Sequence, residues 1–338
     1  MALEDFLAGL DPKTAKRIKT AQQTEVVFLP TASHGLNKIL NGGVAKGRIC
    51  LIYGNQSAGK SLAMQASVAK WQKMGLVCAW VDAEGAWDKK WAERLGVNND
   101  ELILIQSKSS GRIEDELAPL LENKIDVVVI DSISDIMPEA FIGKDGSLND
   151  QVDRKQIGAH AKAITALING ILYRNEDTAV VLLSQTTTFL GQTYVQQVPH
   201  GGKKVLFAAS QIVKLTSSNT DAKQIKGNVY VGDLVLEKPI GRTVDAFCEK
   251  NKLGPQHGTC EYDIYYGGED VGIDYIGEVI KEAIEYQVLT KGGAWFKWDG
   301  QQWQGEANVV KHFKSNPDDL EKLLAEIHMV ETGEVVDE

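Results

Sequence analysis

Residues 49–61 read Ile49-Cys50-Leu51-Ile52-Tyr53-Gly54-Asn55-Gln56-Ser57-Ala58-Gly59-Lys60-Ser61. The last eight fit G-x-x-x-x-G-K-[ST] in full, and the flanks matter more than the pattern. Ile49 to Tyr53 is an apolar run of buried-strand type, and Ser61 to Met74, free of Gly and Pro, predicts a helix. Gly54 and Gly59 permit backbone angles that side chains forbid, so consecutive N–H groups can turn inward onto phosphate oxygens. The positive end of the following helix adds to that field. In such a cradle Lys60 reaches the β- and γ-phosphates and Ser61 offers its hydroxyl to Mg²⁺. An ordinary glycine turn lacks this strand and helix, so the stretch predicts a nucleoside triphosphate site.

Working outward, 338 residues leave room for a large core and one or two smaller attachments. No apolar run approaches membrane-span length, and Met1-Ala2-Leu3-Glu4-Asp5 is acidic where a signal peptide is basic, so a cytoplasmic protein without membrane association is expected. Cys50, Cys78, Cys248 and Cys260 fall in predicted strands without a C-x-x-C, which reads as buried reduced thiols. A net charge of −10 argues against a polyanion-binding surface over the whole molecule, so any nucleic-acid site must be local.

Upstream, Leu3, Phe6, Leu7 and Leu10 form one apolar stripe on a short helix, followed by basic Lys13, Lys16, Arg17 and Lys19. The stripe needs a partner surface, on its own core or on a neighbouring subunit. Val26 to Leu29 is a short strand ended by Pro30. From Thr31 the chain reads TASHGLNKILNGGVAKGRICLIYG. Here it resembles the RecA-type recombinases, in which a short helix and a Gly-Gly-x-x-x-Gly-Arg segment precede the phosphate loop; Gly42, Gly43, Gly47 and Arg48 match. The resemblance continues with few gaps almost to the C-terminus.

Downstream, Val77 to Asp82 reads as a strand, and a carboxylate just past it is placed to polarise a water against a γ-phosphate. The resemblance gives Glu84 that catalytic role, and gives Asp88 and Trp91 contact with and stacking on the adenine. Leu102 to Ile105 reads as a strand and Arg112 to Leu121 as a helix. Asp126-Val127-Val128-Val129-Ile130-Asp131 is a β-branched run ending in an acid, which holds the Mg²⁺ shell opposite Ser61; capping a helix is the bland alternative for Asp131. Alternating βα units predict an α/β fold with a mostly parallel twisted sheet, and the resemblance makes it a RecA-like P-loop ATPase core.

Gly143 to Arg154 is polar and aperiodic and reads as a loop, in the place of the family's first DNA-binding loop. Ile157 to Tyr173 is a helix and Ala179 to Ser184 a central strand. Gln185 matches the family's γ-phosphate-sensing glutamine. Thr186 to Gly202 then reads as the second DNA-binding loop, with Phe189, Leu190 and Tyr194 available to stack on bases or to fold back on the core. No Lys or Arg lies between Gln185 and Gly202, where the family usually carries them; Lys203, Lys204, Lys144, Arg154 and Lys155 are the substitutes, with Gly201 and Gly202 at the loop's end.

Gln211–Thr216, Asn228–Lys238, Arg242–Lys250 and Thr259–Tyr266 alternate as strands and predict an antiparallel extension of the sheet. The resemblance places Lys250 and Lys252 near a neighbour's γ-phosphate, Tyr266 near the base, and Leu62 with Gly54–Ser61 in the nucleotide cradle. Composition changes around Asp270. A helical stripe (Ile276, Val279, Ile280, Ala283, Ile284), a hairpin turning at Asp299-Gly300 and two helices flanking Pro317 predict a small α+β C-terminal domain. Lys291, Lys297, Lys311 and Lys314 suit duplex DNA there, and equally suit a solvated face. The expected division is an N-terminal oligomerisation segment (1–30), an ATPase core (31–269), a C-terminal domain (270–329) and an acidic tail (330–338).

The resemblance implies a recombinase that assembles with ATP and Mg²⁺ into a homo-oligomeric helical filament on single-stranded DNA and exchanges strands with homologous double-stranded DNA. A RecA-like ring ATPase or helicase, and a nucleotide-switched single-strand coating protein, are the alternatives on the same core.

Overall fold

The computed structural model describes residues 6, 9–11, 25–142, 158–190, 195–217, 220–231, 234–268 and 270–333. Leu3, Leu7, the basic segment 13–19, the first loop 143–154 with Arg154, and Tyr194 lie outside them, as do the side chains of Phe189 and Leu190.

Strand β1 (Phe28–Leu29) pairs antiparallel with β2 (Val44–Ala45) around α1 (His34–Ile39), which Ser33 caps by accepting from the Leu36 N–H. The βα units follow: β3 (Ile49–Gly54), α2 (Lys60–Lys73), β4 (Cys78–Asp82), α3 (Lys89–Arg94), β5 (Leu102–Ile105), α4 (Ser110–Glu122), β6 (Val127–Asp131), α5 (Ala159–Arg174) and β7 (Ala179–Leu190). Next come β8 (Val195–Pro199), α6 (Lys203–Ala208), β9 (Gln211–Ser217), β10 (Gln224–Val231), β11 (Leu234–Asn251), β12 (Thr259–Tyr265) and β13 (Gly272–Ile273). The C-terminal elements are α7 (Tyr275–Glu285), β14 (Thr290–Gly292), β15 (Trp295–Trp298), β16 (Gln301–Gln304), α8 (Glu306–Ser315) and α9 (Pro317–Thr332).

The main sheet runs β13-β12-β11-β9-β3-β7-β6-β4-β5, with β10 added to β11 and β8 to β7. From β9 to β5 every neighbouring pair is parallel, and from β9 to β13 every pair is antiparallel. The continuous apolar run of β3 is explained by burial on both faces. Cys50 and Ile52 pack with Met64, Val68 and Trp71 of α2 on one side, while Ile49, Leu51 and Tyr53 pack with Ile113, Leu117 and Ile168 of α4 and α5 on the other. Register then gathers the chemistry. Gly54 lies beside Gln185 and Asp82 beside Asp131, so four strand ends reach one edge together.

Three expectations change. The segment 228–238 is not one strand. Val231 of β10 pairs with Leu234 of β11, and the Gly232-Asp233 pair between two β-rich runs was the hairpin signal. Gln211–Ser217 is the seam of the sheet, parallel to β3 and antiparallel to β11. Thr186–Gly202 is not an open loop either: β7 continues to Leu190 and pairs with β8, since the β-branched run Thr186-Thr187-Thr188 extends the strand.

The C-terminal elements enclose their own cluster, with Ile280, Phe296, Trp298, Phe313, Leu323 and Ile327 buried. The turn expected at Asp299-Gly300 is present, with φ of 46° and 73°, and β14 adds a third strand that the sequence reading missed. Helix α9 runs through Thr332 to a left-handed Gly333, and Glu331 pairs with Lys38 at 3.2 Å. The first residues of the expected acidic tail are therefore helical; 334–338 lie outside the described residues. This unit grips α1 through buried acids. Glu278 accepts from Ser33 Oγ (2.8 Å) and Gly35 N (2.7 Å), and Glu282 binds both His34 and Lys38.

Candidate nucleotide site

The phosphate loop leaves β3 where no side chain fits. A Cβ on Gly54 would stand 2.2 Å from the Leu215 carbonyl oxygen, and Gly59, at φ +87°, opens α2. The first turn of that helix leaves the N–H groups of Lys60, Ser61 and Leu62 without helical partners, all aimed the same way. Lys60 is buried and donates from Nζ to the Gly54 and Asn55 carbonyls at 3.0 and 2.9 Å. Burial pushes its pKa down, partly offset by Asp131 and Glu84. A desolvated ammonium held only by two carbonyls is ready for an anion.

Residues Gln56–Leu62, Glu84, Asp131, Ser132, Gln185, Arg242, Ile264 and Tyr266 line one cleft of about 360 Å³. The structure thus brings together the loop, Glu84, Asp131 and Tyr266 from the ends of four strands and Gln185 from within β7. Asp131 is the most perturbed acid of the cleft. Burial drives its pKa up to about 6, against the opposing hydrogen bond from Ser61, with Glu84 adding repulsion. Held this way beside a hydroxyl and a second acid, it fits a divalent cation: Ser61 and Asp131 would hold Mg²⁺, which would neutralise phosphate charge.

That cost has a measurable sign. An acid whose folded pKa is raised loses stability as pH climbs from the unfolded value of 3.8 toward 6, and the penalty is complete above it. Asp131→Asn should therefore stabilise the nucleotide-free protein at pH 7.5, by up to about 3 kcal/mol, while losing Mg²⁺-dependent nucleotide binding. Urea unfolding at pH 7.5 and pH 4.5 checks this. The gain must shrink at the acid end; a gain that grows there is the wrong sign.

Glu84 is exposed on a turn that Asp82 builds, its carboxylate accepting from Gly85, Ala86 and Trp87 N–H groups at 2.8, 3.0 and 3.1 Å. Ala83 and Glu84 N–H groups in turn donate to the Asp131 carbonyl. Asp82 is thus a positioning residue that sequence reasoning missed, although an Asp followed by Gly three residues on is an Asx-type signal. Thr186 was missed too. Its Oγ1 donates to Asn55 Oδ1 at 2.6 Å, tying the first residue after Gln185 to the phosphate loop. Gln185 itself donates its N–H to Ser134 Oγ (3.0 Å) and accepts from His200 N (3.1 Å), so it touches both the acid strand's continuation and the end of the second loop. Gly201 (φ +100°) and Gly202 (φ +77°) end that hairpin, and Lys203 starts α6.

Four expected residues lie off this cleft. Asp88 caps α3, accepting from Trp91 N at 2.9 Å, and Trp91 lies under the Arg94 guanidinium, 5.4 Å from its ring centre. Lys250 and Asn251 pair with Ile212 and Gln211, whereas Gly54 pairs with Leu215. Lys250 thus lies three residues, about 10 Å, toward the opposite edge of the sheet, with Lys252 beyond it. There Lys250 donates to the Leu206 carbonyl at 2.7 Å, and burial and then Lys252 hold its pKa down.

A model of the RecA N-terminal domain matches residues 10–272. The chain belongs to the RecA family. It is 32% identical to Protein RecA of Clavibacter michiganensis over 94% of this chain and 84% of that one. With Protein RecA of Caulobacter vibrioides it shares 33% over 95% and 88%, and with that of Thermus thermophilus 30% over 99% and 95%. The RecA-family match therefore spans the cleft, the hairpin after Gln185 and the C-terminal unit. A larger hollow of about 640 Å³ between α1, β11 and α7 is a poorer site. Three of its five acids are ion-paired, Glu282 with Lys38, and Asp245 and Glu261 with Lys223.

Proposed function

We propose that this RecA-family chain is an ATP-dependent DNA recombinase that forms a helical filament on single-stranded DNA and exchanges strands with homologous duplex. The observation that carries this reading is that one strand, β11, borders the nucleotide cleft at Arg242 and bears Lys250 near its far end, with Lys252 just past it. Two cations on the face opposite the cleft suit a head-to-tail stack, in which each subunit's lysines meet its neighbour's bound triphosphate. Within a subunit, Glu84 takes the proton of the attacking water, Lys60 and the α2 N-terminus hold the phosphates, and Ser61 and Asp131 hold Mg²⁺. Gln185 relays γ-phosphate occupancy to the β7–β8 hairpin through its contacts with Ser134 and His200. Asp88, Trp91 and Tyr266 are assigned to the adenine.

The division into 1–30, 31–269 and 270–329, with helix to 332, belongs to the same proposal, as does a cytoplasmic location; among the described residues no helix is long and apolar enough to cross a membrane. DNA contacts are assigned to Arg154, Phe189, Leu190, Tyr194, Gly201, Gly202 and Lys203. A ring ATPase or a coating protein would share the core but not homology-dependent pairing. Strand exchange with homologous and heterologous duplex tests the reading, and exchange indifferent to homology, or none, removes it.

The hairpin lacks basic residues between Gln185 and Gly202, so apolar contacts carry the binding there. Replacing Phe189, Leu190 and Tyr194 by alanine should weaken single-strand affinity by about 1–3 kcal/mol per stacked base lost, while the salt slope stays near wild type. Fluorescence anisotropy across a salt series reads both, and unchanged affinity returns these side chains to the protein's own core.

A further inference from the structure

Among the residues lining the cleft, Arg242 has no role in the reading above. Arg242 is the register partner of Ile264 across β11–β12, so both side chains lie on one face of the sheet, with Val244 two residues on. That face covers the phosphate loop. A Cβ built on Gly59 would stand 2.9 Å from Ile264 Cδ1 and 3.5 Å from Val244 Cγ2. The Arg242 guanidinium reaches the Tyr266 ring, 5.9 Å from its centre, and Tyr266 donates to the Gly241 carbonyl at 3.3 Å. Arg242 thus begins beside the start of α2 and ends at the expected base-binding tyrosine.

The charge balance of the cleft points the same way. Its lining holds two acids, Glu84 and Asp131, and two cations, Lys60 and Arg242. A triphosphate with one divalent cation still brings about two negative charges, so beside Glu84 and Asp131 the cleft is short of cations with Lys60 alone, and Arg242 is the second cation in its lining. Lys250 is eight residues along β11, about 26 Å away, and reaches the other edge. A guanidinium presents a planar fork of donors that matches phosphate oxygens and stays charged at any working pH.

We infer that Arg242 is a phosphate ligand for the nucleotide bound by its own subunit, its guanidinium closing the outer wall of the cleft between the loop and Tyr266. This rests on the proposed nucleotide site. It gives β11 a cation for its own nucleotide at mid-strand, with Lys250 near its end and Lys252 just past it for the next subunit's.

The test uses the full-length protein without DNA. ADP and adenosine compete with mant-ADP for wild type, Arg242→Met, Arg242→Lys and Lys60→Ala. Methionine keeps an unbranched apolar side chain and removes the charged fork. A phosphate contact predicts that Arg242→Met lowers the ratio of ADP to adenosine affinity by about 10- to 100-fold, with Arg242→Lys recovering part of it. A merely structural role lowers both affinities alike and leaves the ratio at its wild-type value, which overturns the assignment whether or not overall affinity falls. If Lys60→Ala loses ADP while Arg242→Met keeps the ratio, only Arg242 is misassigned. A wild-type protein that binds neither ligand overturns the nucleotide site and Arg242 together.

Discussion

Lys60→Ala is expected to yield a folded protein with no measurable ATP turnover. The side chain is buried, yet it is not core. Its contacts are the Gly54 and Asn55 carbonyls, and burial disfavours its charge. Removing a desolvated cation relieves the fold of a cost that the two carbonyls, Asp131 and Glu84 offset only in part. The loss therefore falls on binding and on the transition state, where charge on the transferred phosphoryl group has no compensation on the loop side. Steady-state phosphate release with and without single-stranded DNA reads the activity, and circular dichroism reads the fold. Wild-type turnover from the purified variant would falsify the site. Unfolding instead of inactivity would show that the two carbonyl contacts are structural.

A mixing experiment has the next largest effect, because it restores activity rather than removing it. Glu84→Ala keeps good lysines and Lys252→Ala keeps a good base, and each alone should be nearly inactive on single-stranded DNA. In mixed filaments some interfaces join an intact Glu84 to an intact Lys252 of the neighbour, so part of the DNA-dependent ATPase should return. The placement of Lys250 and Lys252 makes the trans assignment necessary for any role in hydrolysis. From the far edge of the sheet neither can reach the cleft of its own subunit. Burial, and then Lys252 beside it, disfavours the Lys250 charge in the free subunit, and a neighbour's phosphate would relieve that. Co-assembly is followed by energy transfer between labelled variants. Co-assembled filaments with no recovered activity refute the trans role.

The two experiments bear on different levels of the molecule. The role proposed for Lys60 is local to its loop, whereas that proposed for Lys252 depends on how the sheet is ordered. The same division separates what could be read from the chain and what could not. Gly54–Ser61, the burial of β3 on both faces and the acid ending β6 were all legible in the sequence. Each depends on neighbours in sequence: glycine torsions, strand periodicity and a helix start within one short window. The Asp299-Gly300 turn was legible for the same reason.

Sequence did not reveal the neighbours in space. Gln211–Ser217 had strand composition, but only the folded sheet made it the seam between parallel and antiparallel halves. The run through Thr188 looked like a loop because pairing with Val195–Pro199 is a contact between separate segments, and it is pairing that satisfies the backbone there. Arg242 carried no motif at all. Its place over the phosphate loop follows from register with Ile264, whose packing on Gly59 joins residues some two hundred positions apart. By itself the sequence determined the local chemistry of phosphate binding and the βα order. Tertiary structure alone decided which side chains line the cleft and which lie toward the opposite edge of the sheet, because strand order and register are set by long-range burial rather than by any local pattern.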